Sequence, residues 1–214
     1  MNTFKKYPKS KKNGFIVQKR FFRLFKLFKT DLKINKSSIK EDIEDHFDFR
    51  IGQLINGSKR IEKIEVKSIK GITRKGGISF DYTWIEFYNV NGNIGWINGK
   101  SDKIAFEIID GFLMVGRADV KKLVEDMIKD NDVDINDFYG FSDSEYDIIK
   151  NKTALERIYK WYRRRGRIDV IVLVPIEDIK TLKHEIIHDD LIKIAEDKYK
   201  QKQKCLKQKN ELVN

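Results

Sequence analysis

HFDFRIGQLINGSKRIEKIEVKSIK, residues 46–70, brings His46, Asp48, Glu65 and Lys67 into one short stretch. The pattern around Asn56-Gly57 predicts a hairpin, HFDFRIG going out and KIEVKSI returning. Side chains alternate faces in a strand, so Glu65 and Lys67 point the same way, with Val66 opposite. Pairing of the strands brings Asp48 beside Glu65, and a strand running through HFDF puts His46 on the face of Asp48. Two carboxylates this close repel unless a positive charge lies between them. A divalent ion meets that need, and hard oxygen ligands select magnesium or manganese over zinc. A lysine beside such an ion can orient the attacking water or stabilise charge building on a phosphate. Spacing alone leaves a second reading open, because Glu-x-Lys is also an ordinary pattern on a solvated strand face.

The elements that must hold these residues follow from the surrounding pattern. Ser37 or Ser38 caps a short helix in SSIKEDIEDHF, with acids in its first turns. YTWIEFYNV reads as the third strand, carrying Glu86, and a glycine-rich turn through VNGNIGWINGK follows it. KIAFEII and FLMVG form a second hairpin about Asp110-Gly111, and ADVKKLVEDMI is a helix. TALERIYKWYRRRGR reads as a helix ending in Arg163, Arg164, Arg165 and Arg167. RIDVIVLVPIEDI is a buried strand turning into helix, and the chain is helical in pattern from about residue 183. Strands in quick succession followed by helices predict an α/β (α+β) fold, a central mixed sheet flanked by helices.

Ahead of this lies a basic amphipathic segment, with Val17, Phe21, Leu24, Phe25, Phe28 and Leu32 at helical spacing among lysines and arginines. Its Phe stripe packs on the core, lies on a membrane surface, or presents an arm to phosphates. The division expected is a basic extension over 1–36, a domain over 37–182 and a C-terminal helix with a basic tail over 183–214. Trp84 and Trp96 read as core and loop anchors.

The 214 residues carry 44 Lys and Arg against 33 Asp and Glu, a formal net charge of +11. Polyanions are the natural partners of such a chain, nucleic acid first. The Arg163–Arg167 cluster and Lys100 are the candidate phosphate contacts, since arginine grips phosphate in a forked geometry. The single Cys205 forms no internal disulfide, and no Cys/His spacing matches zinc. DNDVDIND at 130–137 lacks the glycine and the final Glu of a calcium loop, with Phe141 in the last position. The lone cysteine implies a reducing, intracellular location, and the longest apolar run, IVLVPI, is too short for a bilayer, so a soluble protein without stable membrane insertion is expected.

HFDF followed by IEVKS resembles the Asp and (Asp/Glu)-x-Lys motifs of the PD-(D/E)XK nuclease superfamily. WIEFYNVNGNIGWINGKSDKIAFE, the RAD of GRADVKKLV and YRRRGRIDVIVLVP are similar to a pattern of nuclease-like proteins from phages and large DNA viruses. The likeness covers roughly residues 40–182. It departs from the superfamily at Phe47, where the motif has proline, and from the viral pattern at Tyr88, where lysine is usual. The resemblance implies a restriction-endonuclease-like fold and hydrolysis of phosphodiester bonds in DNA, with RNA not excluded. It implies Asp48 and Glu65 as ligands of Mg2+ or Mn2+ and Lys67 as the catalytic lysine. Many superfamily members add a helix-borne Glu, for which Glu41 and Glu44 are candidates; Glu86 and His46 are further accessory candidates. Members often work as homodimers. A DNA-binding protein without turnover and a membrane-surface protein using the Phe-rich helix remain as alternative classes.

Overall fold

The computed structural model describes residues 7–55, 58–69, 81–128, 159, 161–162, 167–195 and 197. Among these residues nine strands fall into two sheets: β1 (Lys33–Lys36), β2 (Phe49–Ile55), β3 (Ser58–Lys67), β4 (Tyr82–Tyr88), β5 (Lys103–Ile108), β6 (Gly111–Gly116), β7 (Trp161–Tyr162), β8 (Val170–Pro175) and β9 (His184–His188). The larger sheet has six strands in the order β1-β2-β3-β5-β6-β9, and the smaller has the order β4-β8-β7. β1, β2 and β3 are antiparallel, β5 runs parallel to β3, and β6 and β9 continue antiparallel. The chain is thus a mixed α/β protein with a mixed six-stranded sheet.

Both expected hairpins form, with Ile55 opposite Ser58 and Ile108 opposite Gly111. Alternation within the strands sends apolar groups to both faces of the large sheet. On one face Phe49, Ile51, Ile64, Val66, Phe112, Met114 and Ile187 meet helix α1 (Tyr7–Phe28). The stripe Val17, Phe21, Leu24 and Phe25 is buried there, and the Phe21 ring lies 5.7 Å from Phe49 and 5.2 Å from Phe112. Arg20 anchors the helix to Glu107 of β5 at 2.8 Å, and pairs with Asp189 just beyond β9. The Phe stripe is therefore core, and α1, within the basic extension expected at 1–36, supplies one layer of the fold.

On the opposite face Ile104, Phe106, Leu113 and Val115 pack with Ile85 and Phe87 of β4, with Val170, Val172 and Val174 of β8, and with helix α3 (Arg117–Met127). All of VIVLVP in β8 is buried, as its unbroken apolar run requires.

Three expectations are corrected. YTWIEFY is not the third strand of the main sheet; β4 pairs with β8 in the second sheet, and β5 takes the place beside β3. The segment from 183 is not helical at its start. HEIIH alternates well enough to add β9 to the edge of the sheet, and helix begins only at residue 190. Trp161 and Tyr162 are strand rather than the end of a helix, because β8 offers them an open edge. The segment 130–137, residues 153–158, 160 and 163–166 of the expected helix and the tail beyond 197 lie outside the described residues. No helix among the described residues is long and apolar enough to cross a membrane.

Candidate metal centre

Asp48 sits just ahead of β2 and is 2 % exposed. Its N–H donates to the Ile64 carbonyl and its own carbonyl accepts from Ser37 N–H, each at 2.8 Å. With the backbone so engaged on both sides, the carboxylate accepts the N–H of Val66 at 2.7 Å on Oδ2 and the Gln18 amide on Oδ1. Asp48 is thereby fixed between α1, β1 and the strand that carries the Glu-x-Lys pair.

In β3, Ile64 and Val66 face α1, so Glu65 and Lys67 face the other way. Glu65 is 5 % exposed. Its Oε1 accepts from Lys67 Nζ, while Oε2 is buried and meets no donor among the described residues. Lys67 Nζ also lies 4.7 Å from the centre of the Trp96 ring, whose negative face suits an ammonium group. Trp96 is buried, as a loop anchor should be, and it touches the site as well.

The third acid is Asp42. A ligand oxygen from each of Asp42, Asp48 and Glu65 falls within 4.8 Å of the other two. Helix α2 (Ile39–Glu44) delivers it. Ser38 caps this helix through a capping box, its Oγ accepting from Glu41 N–H at 3.3 Å while Glu41 Oε2 accepts from Ser38 N–H at 3.0 Å. The other Glu41 oxygen pairs with Arg50. Glu41 is consumed by cap and strand, and Glu44 is exposed opposite Lys40. Neither expected helix acid joins the cluster; Asp42 does. The capping box was a readable clue, since it commits the residue at its third position to the cap and frees the next acid.

The cluster is electrostatically unbalanced. Burial, and then the Glu65 carboxylate, hold the Asp48 pKa well above the ordinary Asp value, with a smaller push from Asp42; Lys67 and the Val66 N–H pull against them. Three carboxylates, one with a buried oxygen that meets no donor among the described residues, suit a divalent cation.

His46 does not share a strand face with Asp48. The strand starts at Phe49, and His46 takes φ 54, a left-handed turn that carries the chain from α2 into Asp48. Gly99 seats this corner: a Cβ there would lie 2.6 Å from the His46 Cβ. Lys100 completes the clamp, its N–H on the Asp45 carbonyl and its Nζ on Asp45 Oδ1, both at 2.7 Å. That contact with Lys100 holds the Asp45 carboxyl below its usual pKa, against desolvation, and raises Lys100 in turn. Arg117, the arginine of the RAD stretch, braces the same loop by donating to the carbonyls of Ser101 at 2.7 Å and Ile97 at 2.8 Å.

Glu86 lies in β4 opposite Ile171, in the second sheet and outside the carboxylate cluster. Asp169 is fully buried. Of the arginine cluster, Arg167 is exposed just ahead of β8, and Arg163, Arg164 and Arg165 lie outside the described residues. Comparison of the chain with protein-family models, curated proteins and solved structures returns no match.

Proposed function

We propose that this protein is a divalent-metal-dependent nuclease of the PD-(D/E)XK type, hydrolysing phosphodiester bonds in DNA on a restriction-endonuclease-like fold. One observation carries the reading: the oxygens of Asp42, Asp48 and Glu65 converge within 4.8 Å, with Lys67 on the same strand face as Glu65 and Glu65 Oε2 buried without a donor among the described residues. The mixed sheet flanked by helices and the pairing of Asp48 with the Glu65 strand agree with it.

Asp42, Asp48 and Glu65 would hold Mg2+ or Mn2+. When bound, the ion supplies charge stabilisation at the phosphate and lowers the pKa of a coordinated water. Asp48 is held in position by Val66 N–H and Gln18, and Glu65 by Lys67, so little reorganisation accompanies binding. Lys67, supported by Glu65 and the Trp96 ring, is placed to donate to a phosphate oxygen as charge builds. Lys100 and Arg167 are exposed cations for backbone phosphates, and the net charge of +11 favours such contacts at low salt.

The test is a cleavage assay on plasmid, linear duplex, single-stranded and four-way-junction DNA with magnesium, manganese or chelator. Wild type is compared with Asp48→Ala and Lys67→Ala, with folding and DNA binding checked in parallel. Metal-dependent cutting that both substitutions abolish is the expected result. DNA binding with no cutting on any substrate overturns the nuclease reading in favour of a binding protein on this fold.

A further inference from the structure

Along α1 the spacing Phe-x-x-x-Lys occurs at Phe15/Lys19 and again at Phe22/Lys26, and each ammonium lies 4.5 Å from the centre of its ring. The two rings differ in what else they meet. Phe22 is half-buried and stacks on Phe49 at 5.9 Å. Phe15 is 48 % exposed, and a second cation, Lys36 of β1, reaches its ring at 4.9 Å. Beside it, a Cβ at Gly14 would meet nothing within 4 Å among the described residues, and Ile16 is 54 % exposed. A lysine stem folded over a surface ring can merely shelter it from water. A second cation brought from another element, with half the ring still in water, exceeds what shelter requires.

Both elements that build this patch reach the carboxylate cluster. Gln18, one helical turn beyond Phe15, donates to Asp48 Oδ1. Lys36 lies opposite Phe49, and the next residue, Ser37, donates its N–H to the Asp48 carbonyl. Helix neighbours one turn apart are about 5–6 Å apart and paired strands about 5 Å, so the ring lies within roughly 10–15 Å of the acids. That is the reach of a few nucleotides.

We propose that Phe15, with Lys19 and Lys36, is a stacking platform for an unpaired base of the nucleic acid whose backbone lies at the cluster. The two ammonium groups, which lie over the ring in the free protein, move to the flanking phosphates as the base takes their place on its face. Base faces inside a duplex are already covered, so the substrate class this selects is single-stranded DNA, or a flap or frayed end. The proposal rests on the nuclease reading for the place of the backbone at the cluster, and its binding preference is measured apart from cleavage.

The experiment measures fluorescence anisotropy of a labelled oligonucleotide, single-stranded or annealed, titrated with full-length protein in chelator. Variants are Phe15→Ala, Phe15→Trp and Lys36→Ala, with thermal unfolding to confirm that each folds. Wild type binds the single strand more tightly than the duplex, Phe15→Ala weakens single-strand binding about tenfold or more, and Phe15→Trp restores it. Lys36→Ala weakens it less and flattens its salt dependence. Equal affinity for duplex, or single-strand binding indifferent to Phe15→Ala, overturns the platform. So does Phe15-dependent binding to phosphatidylserine vesicles without binding to the oligonucleotide. Because no cutting occurs in chelator, Phe15-dependent single-strand preference supports the platform even if the cleavage assay fails. Cutting that persists without that preference overturns the platform and leaves the nuclease reading standing.

Discussion

The N–H of Val66 donates to the carboxylate of Asp48 at 2.7 Å, with both residues buried. This bond joins the acid ahead of β2 to the strand that carries Glu65 and Lys67. It holds a negative group in a place that burial and Glu65 make unfavourable for charge. A proton on the carboxyl, or a cation bound against it, offsets that cost.

Asp48→Asn should stabilise the metal-free protein at neutral pH. The Asp48 pKa is raised in the folded state, so between the unfolded Asp value of about 3.9 and the raised value the native protein binds more protons. Stability therefore falls as pH rises through that window, and the loss persists above it. In chelator the variant should melt above wild type at pH 7, with the gap closing below about pH 4. Magnesium or manganese should raise the wild-type melting temperature and leave the variant unmoved. A variant that still responds to metal would show that Asp48 is not a ligand.

The reassignment from Glu41 and Glu44 to Asp42 separates three substitutions. Asp42→Asn should weaken manganese binding at least tenfold, read by calorimetry, with the melting temperature in chelator unchanged or raised. Glu41→Ala should cost about 1 kcal/mol of stability through the lost bond to Ser38 N–H and the lost Arg50 pair, with a smaller effect on metal. Glu44→Ala, at an exposed site, should stay within about 0.5 kcal/mol and bind metal normally. Metal binding lost through Glu44 instead would make Glu44, and not Asp42, the helix-borne ligand.

Arg117 should matter to the site without touching it. Its guanidinium satisfies the carbonyls of Ile97 and Ser101, which hold the loop bearing Trp96 and Lys100. Arg117→Ala should destabilise by about 2–4 kcal/mol in denaturant titrations, because two charge-assisted hydrogen bonds are lost. Arg117→Lys should recover little, since one ammonium cannot reproduce the forked geometry.

A pH dependence is expected at the edge of the sheet. Lys103 is penalised by burial, but Glu62 and Glu185 raise its pKa above the ordinary value. Glu185 is likewise pushed up by burial and pulled lower by Lys103 and Lys29, ending below its ordinary value. The Glu185 contribution is complete above its unfolded pKa of about 4.3 and is lost as pH falls through the depressed folded value. The Lys103 contribution is complete below about 10.4 and is lost as pH rises through the raised one. Glu185→Gln should therefore lower stability at pH 7 by about 1 kcal/mol or less, these groups being partly exposed, and the difference should vanish in acid. Thermal unfolding across pH 2–8 measures it.

What the chain determined on its own was local. The Phe stripe of α1, a serine cap at 37 or 38, both hairpins, the buried run of β8 and the shared face of Glu65 and Lys67 all follow from periodicity and turn chemistry within a few residues. Tertiary structure decided which element lies beside which. It placed β5 rather than β4 next to β3, drew HEIIH into the sheet as β9, and turned His46 out of the strand. It also chose Asp42 over its neighbours, because Glu41 was engaged by Ser38 and Arg50, and Arg50 lies in a different element. Gln18 reached Asp48 by the same route, across 30 positions of sequence. Periodicity reports the face on which a residue lies; the partner of that face is set by packing among segments far apart in the chain, where a single sequence carries little signal.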